Sequence, residues 1–454
     1  MNDVIVTIAN AIRETEFENN TFIAGGFIRD EIMGKESNDL DIVVSLPNGG
    51  VALAQLLYKK GISSRPVIFQ RFGTAQVIIS EHKIEFIMAR KESYRKKNRK
   101  PDVVQGTLIQ DIYRRDFTVN TLVMNIINGE IQDITGKGIA DIKAKIIRAS
   151  SQPDIIFEED PLRILRAVRF AVQLNFSIDN ETKTGIIRNA QMLKHISHER
   201  VRDELIKILL SSAPADGIRM LVHLGLMQYV IPELVILDGA QQNKYHDKDM
   251  LEHTLQVLQN TPNDIVIRLS ALLHDIAKPQ TKTEDKKGVH FYRHEIAGAK
   301  RARKILNDLK FPKETIGKVF KLIKNHMRLK AFGDTLENFS DVAVRRLIFQ
   351  MDLELEPLLS LIHADNISHA KSYCIPNQIP NLKKRIASNL KKINGKMLPV
   401  TGKDIMLHFE MSEGQKIGKM LDRAHEIWLK YPLWDKTKIL NKIELEEELW
   451  KKKK

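Results

Sequence analysis

The hydrophobic period of the chain changes near residue 157, and this change restricts the folds that it can adopt. Before that point, short runs rich in β-branched residues (TFIAGG, DLDIVVS, AQVIIS and IEFIMA) alternate with helical stretches, which is typical of α/β domains. After it, apolar residues recur at spacings of three and four, as at Leu162, Leu165 and Val168. The sequence therefore predicts an α/β head followed by a long all-α body.

The length of 454 residues exceeds what a single hydrophobic core usually organises, and roughly two to four domains are expected. Stretches rich in turn formers or polar residues interrupt the helical pattern at residues 211–217, 238–249 and 370–381. Together with the change of hydrophobic period near residue 157, these breaks lead us to expect domain boundaries near residues 150, 235 and 375. The strongly charged run at residues 91–101 (KESYRKKNRKP) is predicted to be a solvated loop or a mobile arm.

The composition is strongly basic. Lys and Arg number 71 against 57 Asp and Glu, which leaves a net charge of +14. Clustered cations displace counterions from phosphates, so this balance favours a polyanionic partner, although a generally basic surface is the alternative. Cys374 is the single cysteine, which excludes an internal disulfide and a cysteine-rich zinc site and is typical of a reducing cytosol.

The amino-terminal residues 1–20 carry acidic side chains among spaced apolar ones. This pattern indicates an amphipathic helix and not a signal peptide. No apolar run approaches the ~20 residues that a membrane span needs. The expected location is the cytoplasm, with no membrane partner.

Asp39 and Asp41 lie one residue apart at the start of the apolar run NDLDIVV. On a β-strand, residues i and i+2 project from the same face, so the two carboxylates repel each other unless a cation lies between them. Mg²⁺ prefers hard oxygen ligands of this kind. A solvated strand edge without any metal is the alternative. The pair is therefore a candidate catalytic magnesium site.

Two glycines precede these carboxylates in the segment FIAGGFIRDEIMG. Gly25 and Gly26 lie where a predicted strand passes into a predicted helix, which lets backbone N–H groups approach a phosphate at the helix N-terminus. Arg29 follows one turn later, where it can pair with the same anion. A tight turn without a ligand is the alternative. Together with Asp39 and Asp41, the pattern favours binding of a nucleoside triphosphate with its Mg²⁺.

The segment RRDFTVN places Arg114, Arg115 and Asp116 at the start of an apolar run. Interpreted as the N-terminus of a helix, this position is unfavourable for two arginines, because the helix dipole is positive there. We therefore expect the arginines to meet an anion, with a solvated loop end as the alternative.

The segment EEDPLRILRAVRF repeats a charged side chain every three residues, so that each charge would neighbour the last around a helix. The interleaved apolar residues indicate a buried or half-buried helix, where charges are costly without partners. An ion-paired helix surface is the alternative. The repeated charges are Asp160, Arg163, Arg166 and Arg169.

Taken together, these motifs resemble those of one enzyme family. AGGFIRD, DLD, RRDFTVN, DITGKGIADI, EEDPLRILRAVRF and HISHERVRDEL follow the order and spacing seen in the class II tRNA nucleotidyltransferases, the CCA-adding enzymes, and in the related bacterial poly(A) polymerases. The resemblance covers about the first 235 residues. It implies a polymerase-β-like nucleotidyltransferase palm at residues 1–150. It also implies a helical neck for base recognition and RNA binding at residues 151–235.

The resemblance assigns a role to each charged residue. Asp39 and Asp41 would hold the catalytic Mg²⁺, and Asp160 with Arg163 would read the base. The implied nucleotide-binding residues are Gly26, Arg29, Arg114, Asp160, Arg163, Arg166 and Arg169.

Asp160 with Arg163 offers a hydrogen-bond acceptor beside a donor. Cytosine and adenine share an exocyclic amino donor beside a ring-nitrogen acceptor, which this pair matches, whereas guanine and uracil present the reverse order. Such a site selects C or A without a nucleic-acid template. Transfer would be an in-line attack of an RNA 3′-hydroxyl on the α-phosphate, with pyrophosphate leaving. Glu85, on the next apolar strand, is a candidate third carboxylate.

The second half of the chain seats several histidines and aspartates in helical runs. Imidazole nitrogen together with carboxylate oxygen suits a divalent transition metal. Their order and the HDIAKP run resemble the HD superfamily of metal-dependent phosphohydrolases, which implies an HD domain at residues 236–375 before a helical C-terminal segment at residues 376–454. A scaffold without metal is the alternative. The cluster comprises His253, His274, Asp275, His294, His326 and Asp365, of which His253, His274, Asp275 and Asp365 form the expected metal site.

The leading hypothesis is an enzyme that builds or repairs the 3′-terminal CCA of tRNA from CTP and ATP. A poly(A) polymerase, or an enzyme that adds only C or only A, uses the same head and is the first alternative. An HD phosphohydrolase with an RNA-binding head is the second, and the intact carboxylate pair argues against it. The expected cofactors are Mg²⁺ and a second divalent transition metal in the HD domain.

Overall fold

The strands of the head arise from the β-branched runs, whose side chains pack well on a pleated, half-buried surface. The computed structural model describes residues 2–37, 40–93, 102–241, 247–286, 288–393 and 398–451. In chain order, its strands are β1 Thr21–Ala24, β2 Leu40–Val44, β3 Val67–Phe69, β4 Thr74–Ile79, β5 His82–Met88, β6 Arg90–Ser93, β7 Asp102–Gln105, β8 Val123–Asn125, β9 Ile131–Gln132, β10 Ile146–Ile147, β11 Ser177–Ile178, β12 Lys282–Asp285 and β13 Gly288–Phe291.

Seven of these strands form one mixed sheet in the order β3-β4-β5-β2-β1-β8-β9. β1 is antiparallel to β2 and to β8, whereas β2 is parallel to β5. The apolar side chains of the central strands are fully buried, as at Ile23, Ile42 and Phe86. Their burial locks the register, because a slip of one residue would turn these side chains to the opposite face. The register of β1, β2 and β5 in turn positions the predicted carboxylates.

Residue contacts divide the chain into two compact units, Met1–Val235 with Asp308–Phe311 and Ile236–Asn307 with Pro312–Lys454. The α/β head with its helical continuation belongs to the first unit. The helices as far as residue 235 are α1 Asn2–Ile12, α2 Gly26–Ile32, α3 Gly49–Lys59, α4 Leu108–Tyr113, α5 Gly138–Ala144, α6 Pro153–Glu159, α7 Leu162–Leu174, α8 Asn180–Asn189, α9 His198–Leu209, α10 Pro214–His223 and α11 Pro232–Val235.

Helices α7 and α9 pack against each other and carry the period that the sequence predicted. Leu165 and Val168 of α7 are buried, as are Leu205 and Ile208 of α9. The chain leaves α7 through Asn175 in the left-handed conformation, which asparagine tolerates better than most residues. The expected change from α/β head to helical body is confirmed.

Two predicted segments at the margins of the head have different outcomes. α1 confirms the amino-terminal helix. The charged run predicted as a solvated loop or mobile arm at residues 91–101 begins inside strand β6, which pairs antiparallel with β7. The remainder of the run, residues 94–101, lies outside the described residues. None of the helices in the described part of the chain combines the length and the apolar character that a membrane crossing requires.

The second unit is mainly helical. Its fold departs from an all-helical body at the antiparallel pair of β12 and β13. Gly288, the first residue of β13, has φ 113, a conformation that favours glycine. Helices α12, α13, α16 and α18 pack around one another. The helices from residue 236 onward are α12 Met250–Gln259, α13 Ile265–Leu273, α14 Lys278–Thr281, α15 His294–Asp308, α16 Lys313–Asn325, α17 Asp341–Met351, α18 Leu355–Ile367, α19 Gln378–Ile393, α20 Gly402–His408, α21 Gln415–Lys430 and α22 Lys436–Lys451.

Candidate functional site

The turn between β1 and α2 brings two arginines close to its glycines. Gly25 has φ 79, which only glycine adopts at little cost, and a Cβ there would lie 3.2 Å from Nη1 of Arg115. A Cβ on Gly26 would lie 3.3 Å from Nη2 of Arg29, whose side chain folds back over the turn. The turn therefore combines a close backbone approach with two guanidinium groups.

Asp41 and Glu85 lie directly opposite each other on the parallel strands β2 and β5. Neighbouring strands are separated by about 4.8 Å, so the two side chains lie next to each other on one face of the sheet. Burial and the negative charge of Asp41 raise the pKa of Glu85. Two adjoining carboxylates of this kind can share a cation. Asp39, the other predicted ligand, lies outside the described residues.

A chain of polar contacts leads from Arg29 to α7. Arg29 Nη1 donates to Asn120 Oδ1 at 2.7 Å, and Asn120 Nδ2 donates to Asp116 Oδ1 at 3.0 Å. Asp116 Oδ2 then accepts from Nε of Arg166 at 2.8 Å and from Nη2 of the same guanidinium. The structure thus joins two predicted nucleotide-binding arginines, Arg29 and Arg166, through one amide and one carboxylate.

The carboxylate in this chain stays ionised. Burial alone would raise the pKa of Asp116, but the Arg166 guanidinium and the hydrogen bond from Asn120 lower it to about 2. The charge of Asp116 correspondingly raises the pKa of Arg166. Both groups therefore carry full charge at neutral pH, and their ion pair is a permanent part of the site.

The ring of Phe170 is surrounded by three predicted arginines. The guanidinium carbons of Arg29, Arg166 and Arg169 lie 5.6, 5.4 and 4.1 Å from the ring centroid. The aromatic face attracts cations, and each such contact contributes about 0.5–2 kcal/mol. Phe170 therefore holds together positive charges that would otherwise repel one another. Phe170 was not among the residues predicted from the sequence, although it closes the motif EEDPLRILRAVRF.

Arg114 and Arg115 lie at the C-terminal end of a helix, and the expectation of a helix N-terminus was wrong. α4 ends at Tyr113, where the dipole is negative and favours cations. The expected anion is Asp111, whose two oxygens lie 2.5 Å from Arg114 Nη2 and 3.2 Å from Arg115 Nη2. Burial works against ionisation of Asp111, but the two arginines lower its pKa overall.

Asp160 and Arg163 lie close in sequence but point to different partners. Asp160 lies between α6 and α7, not on a helix as predicted, and its Oδ2 is 2.7 Å from Arg200 Nη2. Arg163 is buried; its Nη1 donates to Ile156 O and to Glu159 Oε2, and its Nη2 donates to the Arg114 carbonyl oxygen at 2.7 Å. The two predicted base readers are therefore held separately, each in a defined orientation.

Arg169 completes the arginines of α7. Its Nε lies 2.8 Å from Oε2 of Glu204 on α9, an ion pair without hydrogen-bond geometry. Glu204 is buried and belongs to the motif HISHERVRDEL, which had no role beyond the resemblance. Burial lowers the pKa of Arg169.

The motif DITGKGIADI has a structural part in the site. Asp133 accepts from the backbone N–H groups of Gly138 and Ile139 at the start of α5. Asp141 accepts from the Thr118 hydroxyl at 2.7 Å, and Thr118 lies in the sequence between Asp116 and Asn120, two members of the polar chain described above. The loop therefore supports the segment that carries Asp116 and Asn120.

In the second unit, the predicted histidines and aspartates form two adjoining buried groups. One group contains His253, His274 and Asp365, and the other contains Asp275, His294 and His326. Within each group the ligand atoms lie within 4.8 Å of one another. Asp275 joins the groups, because its Oδ2 lies 3.1 Å from His274 Nε2 and its Oδ1 lies 3.4 Å from His294 Nε2. The structure brings together the whole histidine–aspartate set that the sequence singled out.

The ring orientation of these histidines is set by backbone carbonyl oxygens. Nδ1 of His274, His294 and His326 lies 2.8, 2.7 and 2.7 Å from the carbonyl oxygens of Ala271, Phe291 and Ile323. A carbonyl oxygen only accepts, so Nδ1 carries the proton and Nε2 of the neutral ring presents a lone pair. This is the ring orientation of metal-ligating histidines.

The inward-facing nitrogen atoms of the histidines lie close to one another and to the carboxylates. His294 Nε2 lies 3.3 Å from His326 Nε2, and burial with the charges of the neighbouring histidines lowers the pKa of His326 to about 3, so that its ring is neutral. His274 Nε2 is buried and lies 3.1 Å from Asp275 Oδ2 without hydrogen-bond geometry. Although burial alone would lower it, the Asp275 carboxylate raises the pKa of His274. Ring nitrogens that converge with two carboxylates fit a divalent transition metal.

Three further residues at this cluster were not in the expected metal site. Although burial would raise it, the His274 imidazole and the Lys278 ammonium hold the pKa of Asp275 well below its usual value. Lys330 pairs in the same way with Asp365. Both lysines and His369 line a cavity of about 520 Å³ that reaches the cluster. Lys278 lies in the HDIAKP motif, whereas no sequence signal distinguished Lys330 or His369.

Three family models match this chain. The poly A polymerase head domain matches residues 21–148, and the probable RNA- and SrmB-binding site of polymerase A matches residues 175–237. The HD domain matches residues 249–347. The Asp41–Glu85 pair lies in the first match and Glu204 in the second, and five of the six clustered histidines and aspartates lie in the third.

Similar proteins and structures span most of this chain. The CC-adding tRNA nucleotidyltransferase of Thermus thermophilus is 28% identical over 415 residues, which cover 88% of this chain and 88% of that protein. The A-adding tRNA nucleotidyltransferase of Deinococcus radiodurans is 29% identical over 417 residues, which cover 88% and 89%. The crystal structure of the Bacillus stearothermophilus CCA-adding enzyme with CTP matches with a TM-score of 0.72 at 20% identity, over 100% of this chain and 99% of that chain. The structural match supports the fold described above.

Proposed function

Because the chain belongs to the family of tRNA nucleotidyltransferases and poly(A) polymerases, we propose that it builds or repairs the 3′-terminal CCA of tRNA from CTP and ATP. The observation that carries this proposal is the polar chain from Arg29 to Arg166, which lies in one unit with the Asp41–Glu85 pair. The proposed location is the cytoplasm, which a tRNA substrate and the single cysteine, Cys374, favour.

The carboxylates of the head are the proposed ligands of Mg²⁺. Asp41 and Glu85 fit a hard cation, since the charge of one disfavours ionisation of the other. Asp39 is proposed as the third Mg²⁺ ligand from the spacing of the D-x-D motif alone, since it lies outside the described residues. When bound, Mg²⁺ polarises the attacking 3′-hydroxyl and balances the charge of the leaving pyrophosphate.

The triphosphate is assigned to the turn between β1 and α2. The backbone at Gly25 and Gly26 allows close approach of phosphate oxygens, and Arg29 adds a guanidinium that Asn120 holds in place. Arg166 and Arg169 share the Phe170 ring with Arg29, which concentrates positive charge for a tetra-anionic ligand. Binding energy is thus provided by groups that are ordered before the nucleotide arrives.

Base selection is assigned to Asp160 and Arg163. Arg163 is fixed by the carbonyl oxygens of Ile156 and Arg114, so that its remaining N–H directions are defined. Asp160 holds Arg200 through one oxygen, and the base has to share or displace that contact. An acceptor from Asp160 beside a donor from Arg163 would fit cytosine and adenine and leave unpaired groups against guanine and uracil.

Addition of C only, of A only, or of a poly(A) tail is the alternative product. The relatives that match most of the chain include one named CC-adding and one named A-adding enzyme. The polar network described above does not distinguish these products. The length and composition of the product therefore decide between the alternatives.

A primer-extension assay tests the proposed function. Three tRNA substrates would be used, ending before the CCA, after its first C and after its second C, with Mg²⁺ and each labelled nucleoside triphosphate alone or CTP with ATP. Addition of two C residues and one A, without use of GTP or UTP, is the expected result. A long A tail or a single-base product would establish an alternative, and no addition would overturn the proposal. Asp41→Asn serves as the inactive control.

A metal-dependent phosphohydrolase is the second proposed activity, on the histidine–aspartate cluster of the second unit. The proposed ligands are His253, His274, Asp275 and Asp365, together with His294 and His326 from the adjoining group. A bound divalent metal would activate water for attack on a phosphoester. Hydrolysis of a phosphomonoester that depends on added Mn²⁺ and is lost in His274→Ala, but not in Asp41→Asn, is the expected result.

A further inference from the structure

Each carboxylate of the histidine–aspartate cluster is paired with a lysine. Lys278 Nζ lies 2.6 Å from Asp275 Oδ2, and Lys330 Nζ lies 2.7 Å from Asp365 Oδ2. Asp275 and Asp365 belong to different ligand groups, so each group has one ammonium on its carboxylate. A divalent metal bound in the cluster would itself compensate the charges of the two aspartates. The lysine pairs would then not be needed for charge compensation.

The two lysines oppose a metal in different ways. Asp275 Oδ2 also lies 3.1 Å from His274 Nε2, so Lys278 occupies the oxygen that a cation shared with His274 would use. Lys330 is bound to Oδ2 of Asp365, whereas Oδ1 faces His253 Nε2 at 3.1 Å. Lys278 therefore competes for a ligand atom, and Lys330 reduces the negative charge that attracts the metal.

Both ammonium groups also line the cavity of about 520 Å³ that reaches the cluster. Leaving the imidazoles aside, two carboxylates and two ammonium groups sum to zero charge. Entry of one divalent cation raises the sum to +2, which matches the charge of a phosphate dianion. A cation that draws the carboxylates toward itself frees the lysine N–H groups for such an anion.

We propose that Lys278 and Lys330 are exchangeable counter-cations of this cluster. They neutralise Asp275 and Asp365 in the absence of metal, and they turn to the cavity as a subsite for a phosphoryl group when a divalent cation binds. The proposal rests on the metal centre proposed above and adds an anion subsite that forms with metal binding.

The first test measures metal affinity. Mn²⁺ would be titrated into the full chain, with free Mn²⁺ followed by electron paramagnetic resonance, and the sites lost in His274→Ala would be assigned to the cluster. Lys278→Met and Lys330→Met are each expected to bind Mn²⁺ about ten-fold more tightly at unchanged stoichiometry, because a competing charge-assisted contact is removed. Lys321→Met is the matched control, since Lys321 pairs with Glu354 at 2.6 Å and does not line the cavity.

The second test measures anion binding with inorganic phosphate as the probe. Calorimetric titration into the Mn²⁺-loaded protein is expected to show phosphate binding that falls at least about ten-fold in Lys278→Met/Lys330→Met and is unchanged in Lys321→Met. If Lys278→Met does not fold, Lys330→Met decides alone, because its side chain is 27% exposed and tolerates truncation.

The outcomes separate this inference from its premise. Phosphate binding at the cluster is the part that is lost in His274→Ala. Unchanged or weaker Mn²⁺ affinity in the lysine variants, or survival of this part in Lys278→Met/Lys330→Met, would overturn the inference and leave the metal centre standing. Mn²⁺ sites that persist in His274→Ala would overturn the metal centre and the inference with it.

Discussion

Asn120 links two opposite charges in the nucleotide site. Its amide oxygen accepts from Arg29 and its amide nitrogen donates to Asp116, so the side chain needs one donor and one acceptor at fixed positions. An aspartate would repel Asp116, and an alanine would leave Arg29 with one fewer buried contact. A neutral amide is therefore the side chain that this position requires.

Replacement of Asn120 tests its positioning role. In Asn120→Ala, Arg29 loses the acceptor that orients it, so kcat/KM for nucleotide addition is expected to fall by about ten-fold, mainly through KM. Steady-state addition of CTP to a tRNA acceptor measures the change. Asn10→Ala, at an exposed position of α1, is the control and should keep wild-type values. An unchanged KM for Asn120→Ala would contradict the assignment.

Asp160 is expected to decide which bases are rejected. Asp160→Asn replaces a pure acceptor by a group that also donates, so the ratio of CTP to UTP incorporation should fall by about 10²-fold while addition continues. Competition between labelled CTP and UTP measures this ratio. Asp203→Asn, an exposed carboxylate on α9, should leave it unchanged. Retained discrimination in Asp160→Asn would argue for another base reader.

The low pKa of Asp116 predicts a pH dependence of stability. A folded-state pKa of about 2, below the unfolded value, stabilises the fold fully above about pH 4 and progressively less as the pH falls toward 2. Asp116→Asn should therefore be less stable than the wild type at pH 6, by about 2 kcal/mol or more, and the difference should shrink below pH 4. Urea unfolding followed by circular dichroism at several pH values measures it. A difference that is constant with pH, or one matched by the exposed Asp216→Asn, would contradict this account.

At the scale of elements, the helix period distributes the arginines of α7. Three residues advance the helix by about 300°, so successive arginines point about 60° apart. Arg163 donates to the backbone carbonyl oxygens of Ile156 in α6 and Arg114 after α4. Arg166 donates to Asp116, and Arg169 forms an ion pair with Glu204 on α9. One helix therefore supplies cations to three separate partners.

At the turn between β1 and α2, replacement of Gly25 and Gly26 by alanine separates backbone strain from steric contact, and Gly34, which follows α2, provides the control. Gly25→Ala combines strain at φ 79 with a Cβ 3.2 Å from Arg115, so stability and addition should both fall. Gly26→Ala meets only the flexible end of Arg29, at 3.3 Å, and should raise KM without lowering stability. Gly34→Ala is the control for strain alone, since it has φ 68 and no atom within 4 Å. Thermal unfolding and steady-state kinetics of the three variants provide the comparison. Equal effects in Gly25→Ala and Gly34→Ala would show that Gly25 acts through strain only, and an unchanged KM in Gly26→Ala would contradict its approach to the nucleotide.

At the scale of the whole molecule, the proposed centres belong to different compact units and should be removable one at a time. All three tryptophans of the chain lie after residue 427, and Trp428 is buried in the core of helices α20 to α22, so tryptophan fluorescence reports on the second unit. Mn²⁺ at about 100 times its Kd should stabilise that unit by about 2.7 kcal/mol and raise its unfolding temperature. His274→Ala should abolish this shift and retain nucleotide addition, and Asp41→Asn should do the reverse. Loss of both properties in either variant would contradict separate centres.

The sequence by itself determined the features that depend on local order. The change of hydrophobic period specifies an α/β head before a helical body, because side-chain periodicity follows directly from strand and helix geometry. The motif order specifies the family, and the histidine–aspartate spacing specifies the cluster of the second unit. These signals come from residues that are close together in the chain, or from residue types, such as histidine and aspartate, whose chemistry indicates a metal site.

The tertiary structure decided the partners. Asn120 between Arg29 and Asp116, Phe170 beneath three arginines, and Glu85 beside Asp41 depend on pairing between segments far apart in sequence. The placement of Arg114 at a helix C-terminus depends on where α4 ends, which packing and capping settle. Lys330 on Asp365 has no sequence signal, since 35 residues separate them and lysine is common on any surface. Contacts of this kind arise only when burial of the apolar faces has fixed the register of strands and helices.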